Sequence, residues 1–197
     1  MPFVFFKETK LFVLSNVYEP SEDSFLLAEN VKVKENASVL DLGTGSGIQG
    51  INAAMQGAGK VVSTDINETA LLNAKKNAEE LGFDKVFEFR KGNLFDCLKK
   101  EERFDVIVFN PPYVISEEKK YADLDGGIKG REILDEFLKG FAAHLEKEGK
   151  CFFLQSSLNG EEESTELLED QGFETKVVAR KKLFFEELLV FRTLKEL

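Results

Sequence analysis

The segment Ser38-Val-Leu-Asp-Leu-Gly-Thr-Gly-Ser-Gly47 decides the fold of this 197-residue chain. Its first five residues form a mostly apolar run that is typical of a buried strand, and its glycines permit a tight turn. A helix pattern follows, and the first turn of a helix carries unpaired N–H groups that can bind a ligand. A strand, a glycine loop and a helix in this order therefore predict a nucleotide-binding loop at one end of a sheet.

Strand and helix patterns alternate along almost the whole chain around this segment. We predict further strands at 61–64, 86–89, 104–109 and 151–154, helices at 21–31, 47–56, 67–81, 131–146 and 161–170, and an irregular stretch at 110–130. The last two predicted strands, 174–180 and 184–193, are joined by the short link 180–183 and must pair in antiparallel fashion. The pattern predicts a single domain over residues 1–197, an α/β fold with a mostly parallel seven-stranded sheet that ends in this hairpin.

The composition argues against several classes of protein. With 36 acidic and 26 basic residues the net charge is −10, which disfavours nucleic-acid binding. No stretch approaches the roughly 20 apolar residues that span a bilayer, so no membrane segment is expected. Cys97, Cys151 and the single histidine His144 show no metal-ligand spacing, so we expect no metal site in this chain. The cysteine usage indicates a reducing, cytoplasmic compartment.

Two acidic residues near the glycine loop bear on the kind of nucleotide. Gly45, Gly47 and Gly50 can be read as a dinucleotide fingerprint, and Asp65, about 20 residues on, can bind ribose hydroxyls or cap the next helix. Asp41 lies two residues before the first glycine, where an acid suits a cationic ligand such as the ammonium of a methionine moiety better than a pyrophosphate. Together with the terminal hairpin, this order of elements resembles the S-adenosylmethionine-dependent methyltransferases.

The Asn-Pro-Pro-Tyr motif at residues 110–113 follows the predicted strand 104–109. Two prolines cannot continue a strand ladder, so the chain leaves the sheet in a stiff, extended turn. Open α/β sheets bind ligands at this carboxyl end of their strands. An amide oxygen, a proline carbonyl and an aromatic ring there suit a planar nitrogen that bears two hydrogens, as in an amide or a base amino group. A plain strand-ending turn is the alternative for the motif taken alone.

Three segments together carry a closer resemblance. They are residues 17–27 (Val-Tyr-Glu-Pro-Ser-Glu-Asp-Ser-Phe-Leu-Leu), the Asn-Pro-Pro-Tyr motif, and residues 126–131 (Gly-Gly-Ile-Lys-Gly-Arg). The chain resembles the eukaryotic and archaeal branch of the HemK-like class-I methyltransferases, which methylate a glutamine in a translation release factor. The resemblance covers nearly the whole chain and implies a Rossmann-like class-I methyltransferase sheet.

The resemblance also implies functional residues. The expected contacts of S-adenosylmethionine are Ser24, Asp41, Gly43, Gly45, Gly47, Asp65, Asn93, Leu94 and Asn110. The expected catalytic residues, which hold the substrate glutamine, are Asn110, Pro111, Pro112 and Tyr113. Asn93 departs from the family pattern, because relatives usually have Asp there, and its amide oxygen accepts a hydrogen bond with less charge assistance.

Members of this family often work with a small zinc-binding activator protein that docks along the edge of the sheet. Val86, Phe87 and Phe89 in the predicted edge strand, together with 19 phenylalanines in the chain, suit such a partner. The expected protein substrate is a release factor with a Gly-Gly-Gln loop.

Besides protein lysine methylation, for which a pocket built around a planar nitrogen offers no obvious reason, two other functions stay open on the sequence alone. A nucleic-acid methyltransferase that acts on an exocyclic amine, of the adenine-N6 type, would use the same motif at residues 110–113, but the acidic surface disfavours it. A non-catalytic cofactor-binding subunit is the second alternative, against which the intact motif and glycine loop argue.

Overall fold

The computed structural model describes residues 2–115 and 125–195. A small hairpin of β1 (Phe3–Phe6) and β2 (Thr9–Phe12) comes first. The main sheet contains β3 (Ser38–Leu42), β4 (Lys60–Asp65), β5 (Phe87–Lys91), β6 (Phe104–Phe109), β7 (Leu145–Ser156), β8 (Phe173–Lys182) and β9 (Glu187–Lys195). The helices are α1 (Glu22–Asn30), α2 (Ile48–Met55), α3 (Glu68–Glu80), α4 (Glu132–Gly140) and α5 (Glu161–Asp170). None of these helices is long and apolar enough to cross a membrane, and that statement covers only the described residues.

The main sheet has the strand order β5-β4-β3-β6-β7-β9-β8. The strands from β5 to β7 in this order are parallel, and β9 is antiparallel to both β7 and β8. This confirms the predicted seven-stranded, mostly parallel sheet with a terminal hairpin. The connections diverge between β3 and β6, and the carboxyl ends of these two strands therefore border a crevice.

The sheet is buried on both faces, as its apolar strands require. Alternate residues of β3 face opposite sides: Leu40 and Leu42 pack with residues of α4 and α5, whereas Val39 packs with residues of α1 and α2. The N-terminal hairpin adds a third, smaller cluster through Phe6 and Leu11. These layers hold the strand ends, and thus the loops that follow them, at fixed positions.

The predicted helix 131–146 is wrong at its end. Helix α4 ends at Gly140, a 3-10 turn follows over Phe141–His144, and β7 already begins at Leu145, far before the predicted start of that strand. Leu145 pairs with Phe104 on β6 and Lys150 with Val106. Pairing with β6 therefore makes Leu145 and Glu146 strand residues, although the sequence pattern there is helical.

Two smaller boundaries were also wrong. Val86 lies in a 3-10 turn, and the edge strand begins at Phe87. The hairpin link is not 180–183, because β8 continues to Lys182, which pairs with Glu187. The true turn spans 183–186, and it includes the start of the strand predicted at 184–193. Of the irregular stretch predicted at 110–130, residues 116–124 lie outside the described residues.

Asp41 holds the start of the glycine loop against the sheet. Its side chain is 1% exposed, and its Oδ2 accepts hydrogen bonds from Thr44 Oγ1 at 2.6 Å, the Gly50 N–H at 3.1 Å and Ser63 Oγ at 3.3 Å. Its Oδ1 has no hydrogen-bond partner among the described residues. A Cβ at position 50 would lie 3.0 Å from Asp41 Oδ2, so glycine allows α2 to pack closely on β3.

Burial raises the pKa of Asp41 from 3.8 to about 6, against the lowering effect of its three hydrogen bonds. The folded pKa lies above the unfolded value, so the native state loses stability as the pH rises between these two values. Asp41→Asn removes the charge and keeps one acceptor oxygen. We expect the free energy of unfolding of this variant, relative to wild type, to rise by about 2 kcal/mol from pH 4 to pH 7.5.

Urea unfolding of both proteins at the two pH values measures this difference. The other titrating groups are common to both proteins and cancel in the comparison. An equal difference in unfolding free energy at pH 4 and pH 7.5 would contradict the expectation.

Candidate active site

A cavity of about 490 Å³ opens at the carboxyl ends of β3, β4 and β6. Its size suits a small-molecule ligand. Ten of the residues predicted from the sequence line it: Ser24, Gly43, Gly45, Asp65, Asn93, Leu94, Asn110, Pro111, Pro112 and Tyr113. Asp41, before the glycine loop, and Gly47, at the end of it, are not among the described residues that line the cavity. The structure thus brings most of the predicted site together around one cavity.

The glycine loop takes a backbone path that requires glycine. Gly43, Gly45 and Gly47 have φ angles of +60°, +53° and +90°, which side-chain-bearing residues rarely adopt. A Cβ at position 47 would also lie 3.0 Å from Ala74 in α3. The loop therefore presents bare backbone to the cavity and stays close to the adjacent helix.

Asp65 ends β4 and lines the cavity beside the glycine loop. Its Oδ2 accepts a hydrogen bond from the Gly45 N–H at 3.0 Å, and its Oδ1 accepts from the Asn67 N–H at 2.8 Å. Asn67 in turn caps α3 by accepting from the Thr69 N–H at 2.9 Å. Asp65 therefore joins the glycine loop to the start of α3, and its carboxylate remains at the cavity wall.

Asn93 and Leu94 follow β5 and line the same half of the cavity. Asn93 is exposed, whereas Leu94 is buried. Leu94 has a φ angle of +44°, a strained conformation for a residue with a side chain. Such strain is concentrated at ligand-binding sites, and here it places an apolar side chain beside the polar Asn93.

Asp23, in the first turn of α1, lies at the centre of the polar side chains in the other half of the cavity. It is 3% exposed, and its Oδ1 accepts a hydrogen bond from the Ser24 N–H at 2.6 Å. The hydroxyl of Tyr18 lies 3.0 Å from both carboxylate oxygens. The Nδ2 of Asn110 and the hydroxyl of Tyr113 donate to Oδ2 at 3.0 and 3.3 Å.

The Asp23 carboxylate sets the orientation of the Asn110 amide. A carboxylate only accepts hydrogen bonds, so it selects the NH2 group of Asn110 and turns Oδ1 away from itself. Asn110 lines the cavity, and its Oδ1 is buried without a partner among the described residues. An unpaired buried acceptor is unfavourable unless a ligand completes it. The arrangement therefore offers a hydrogen-bond acceptor of fixed orientation to a donor that enters the cavity.

Tyr113 keeps its proton in this site. Burial, together with the neighbouring Asp23 charge, raises the pKa of Tyr113 far above its ordinary value. The phenol therefore serves as a hydrogen-bond donor to Asp23 and not as a base.

The backbone after the Asn-Pro-Pro-Tyr motif is held by the segment before α4. Asn159 Nδ2 donates to the carbonyls of Tyr113 at 3.0 Å and Lys129 at 3.2 Å. Arg131 is 4% exposed and donates to the carbonyls of Asn159 and Gly160 and to Ser164 Oγ. These bonds tie the motif, the 125–131 segment and the end of β7 into one unit.

Sequence reasoning missed Asp23 as a functional residue. Asp23 lies inside the segment 17–27 that carries the resemblance, but no role was predicted for it. The residue is buried, and it contacts Asn110 across 87 positions of sequence. The signal that was present is an acidic residue directly beside Ser24, a predicted cofactor contact.

Comparisons with known proteins agree with this geometry. Residues 33–183 match the family model described as a methyltransferase domain. A protein of Methanocaldococcus jannaschii with the provisional name protein N5-glutamine methyltransferase is 42% identical over 187 residues, which cover 92% of this chain and 93% of that protein. Methyltransferase HEMK2 of Homo sapiens is 30% identical over 195 residues, covering 90% and 89% of the two chains.

A solved structure is also similar over almost its whole length. It is the Mtq2–Trm112 complex of E. cuniculi, described as responsible for the methylation of the eRF1 translation termination factor. The matched chain is 28% identical with a TM-score of 0.71, and the match covers 92% of this chain and 99% of that one.

The family model spans most of the chain, and the relatives match it nearly from end to end. This confirms the resemblance drawn from the three motif segments and the class-I methyltransferase fold. The chain is an enzyme of the methyltransferase-domain family, and within that family it belongs to the HemK-like methyltransferases.

Proposed function

We propose that the protein transfers a methyl group from S-adenosylmethionine to the N5 nitrogen of a glutamine side chain, in the Gly-Gly-Gln loop of a translation release factor. The observation that carries this proposal is the buried, unpaired Oδ1 of Asn110 at the wall of the cavity. Similar proteins bear names or descriptions that state glutamine N5 methylation or methylation of a termination factor, which supports the same substrate.

The half of the cavity beside the glycine loop, which we call the cofactor half, fits S-adenosylmethionine. When bound, this cofactor supplies an electrophilic methyl group. Gly43 and Gly45 allow close approach to backbone, and the Asp65 carboxylate at the wall suits ribose hydroxyls. Asn93 would accept from the adenine amino group through its amide oxygen, and Leu94 would pack on the ring. Asp41 would act from behind the loop, by holding its backbone in place.

The other half of the cavity, around Asn110, suits the glutamine amide, and we call it the acceptor half. An amide nitrogen is a poor nucleophile because its lone pair is delocalised into the carbonyl. Asn110 Oδ1 and the Pro111 carbonyl would accept its two N–H bonds, which orients the nitrogen and favours the positive charge that it gains in the transition state. Pro112 and the ring of Tyr113 would form the stiff walls that hold the amide plane.

A nucleobase amino group has the same donor geometry, so the pocket alone does not separate the two substrates. Electrostatics favours the protein substrate, because a chain with a net charge of −10 repels a phosphate backbone. The descriptions of the similar proteins point in the same direction.

We further propose that a small protein partner, of the zinc-binding activator kind, docks along β5. The Mtq2 neighbour was solved as a complex with Trm112. In this chain β5 is one edge of the sheet, where unpaired backbone groups can accept an added strand. The rings of Phe87 and Phe89 stack with their centroids 5.3 Å apart, and both side chains are only partly buried. They would supply apolar contact area beside the added strand.

A reducing, cytoplasmic location also belongs to the proposal. Cys97 and Cys151 are both free thiols, and Cys151, in β7, is fully buried. Free buried thiols are typical of proteins in a reducing compartment.

The substrate is tested by offering labelled S-adenosylmethionine with four acceptors: a release factor, its glutamine-to-alanine variant, duplex DNA and RNA. We expect label only in the unmodified release factor. Asn110→Ala removes the acceptor oxygen and should lower kcat by about 100-fold or more. Label that enters DNA or RNA, but not the release factor, would overturn the proposal.

The docking edge is tested by Phe89→Glu, with Val178→Glu on the opposite edge strand β8 as the matched control. A charge within the docking surface should weaken binding of the zinc-binding partner at least about tenfold, because it must be desolvated on binding. Gel filtration and titration of the purified partner measure the effect. Equal binding by both variants would place the partner elsewhere on the protein.

A further inference from the structure

The turn between β8 and β9 carries two of the most exposed phenylalanines in the protein. Phe184 and Phe185 are 92% and 85% exposed, and their rings pack edge to face with their centroids 4.8 Å apart. Hydrophobic side chains that are exposed side by side on a rigid turn are a common feature of binding surfaces. The function proposed above does not use them.

The position of this turn connects it to the cavity. Leu188 of β9 pairs with Ser156, the last residue of β7, so the β8–β9 turn lies at the carboxyl end of the parallel strands. The Glu187 N–H donates to Ser157 Oγ at 3.0 Å, which ties the turn to the 3-10 turn that follows β7. Asn159 in that same 3-10 turn bonds to the carbonyl of Tyr113, inside the Asn-Pro-Pro-Tyr motif.

Other exposed apolar side chains lie along the same connected segments. Leu158 lies in the 3-10 turn after β7. Ile128 directly precedes Lys129, whose carbonyl accepts a hydrogen bond from Asn159. Val114 and Ile115 directly follow Tyr113. We name this surface the apolar rim, and it consists of Val114, Ile115, Ile128, Leu158, Phe184 and Phe185. These six side chains are between 42% and 92% exposed. Val114 also lines the cavity, so the apolar rim is continuous with the acceptor half of the site.

The charges beside the apolar rim disfavour a nucleic acid as its occupant. Lys181 forms an ion pair with Glu22 at 3.0 Å, and Arg180 pairs with Glu161 and Glu187. Glu186 lies in the same turn as the phenylalanines, and its charge contributes to the raised pKa of Tyr113. Lys129 and Lys182 are also exposed in these segments, but the two paired cations, the nearby carboxylate and the net charge of −10 offer little attraction to phosphates, whereas apolar side chains of a protein suit the exposed rings.

We propose that the apolar rim is a docking surface for the protein loop that presents the glutamine, and that it contacts apolar side chains flanking the methylated residue. This inference rests on the proposed function, because it takes the substrate to be a protein. In this proposal the glutamine reaches Asn110 past Val114, which lines the cavity, and the chain on either side of it crosses the apolar rim. The rim then determines affinity for the folded substrate and leaves the chemistry at Asn110 unchanged.

The test compares wild type with Phe184→Ser/Phe185→Ser, in the presence of the partner protein where activity requires it. Two substrates are used: the whole release factor, and a short peptide in which the glutamine has only glycine neighbours. We expect KM for the release factor to rise about tenfold or more, because exposed aromatic pairs are typical binding hot spots. We expect kcat at saturation, KM for the short peptide and affinity for S-adenosylmethionine to stay within about twofold, since the substituted side chains lie outside the cavity.

Met55→Ser/Leu72→Ser is the matched control. It removes two exposed apolar side chains on α2 and α3 that do not line the cavity, and it should leave all of these values unchanged. Leu158→Ser tests a second part of the rim and should raise KM for the release factor without changing kcat. Thermal unfolding by circular dichroism checks that each variant is folded.

Several outcomes would overturn the inference. One is a wild-type KM for the release factor in the phenylalanine double variant. A second is an equal loss on the release factor and the short peptide, which would mean damage to the cavity itself. A third is wild-type self-association through the rim, abolished by the double variant with no change in KM. Failure of the wild type to methylate the release factor would instead remove the proposed function, so the two failures are distinguishable.

Discussion

The hydrogen bond between the Asp23 carboxylate and the Asn110 amide is the constraint on which the site depends. It joins the first turn of α1 to the end of β6, and it decides which atom of Asn110 faces the cavity. An asparagine without such a partner can present either its oxygen or its NH2 group. With Asp23 in place the oxygen is available, so the cavity selects a ligand that donates. A methyl acceptor with an N–H bond meets that requirement.

The rest of the fold positions these two side chains. The Tyr18 hydroxyl and the Ser24 N–H hold the Asp23 carboxylate, and Gln49 Nε2 donates to the Ser24 carbonyl at 2.9 Å. Gln49 lies in α2, directly after the glycine loop. The cofactor half and the acceptor half of the cavity are therefore mechanically linked through α1 and α2.

Much of the fold was predictable because its signals are local. The alternation of apolar strands with amphipathic helices, the glycines at 43–47 and the short link before β9 each specify their own geometry. The end of α4 was not predictable, because Leu145 becomes a strand residue only through pairing with Phe104. The exposed Phe184 and Phe185 were missed for a related reason. β8 continues through the charged residues at 180–182 because Lys182 still pairs with Glu187, so the turn lies beyond them.

The site divides in the same way. Residues that act through their own backbone or type, such as Gly43, Gly45 and the two prolines, were predicted as site residues and line the cavity. The burial of Asp41 behind the loop and the contact of Asp23 with Asn110 arise from residues distant in sequence. Single-sequence patterns carry no record of such contacts. The prediction of Asp41 as a direct cofactor contact remains untested, although its three hydrogen bonds indicate a role in holding the loop.

The most direct test of the central claim is the kcat of Asp23→Asn. The Ser24 N–H requires an oxygen at position 23, so the new NH2 group would face Asn110 and force that amide to turn its own NH2 toward the cavity. The account predicts a fall in kcat of about 100-fold, comparable to the loss of an electrostatic contact in a transition state, with KM for S-adenosylmethionine little changed. A variant that keeps the wild-type kcat on its substrate would show that the orientation of Asn110 does not depend on Asp23.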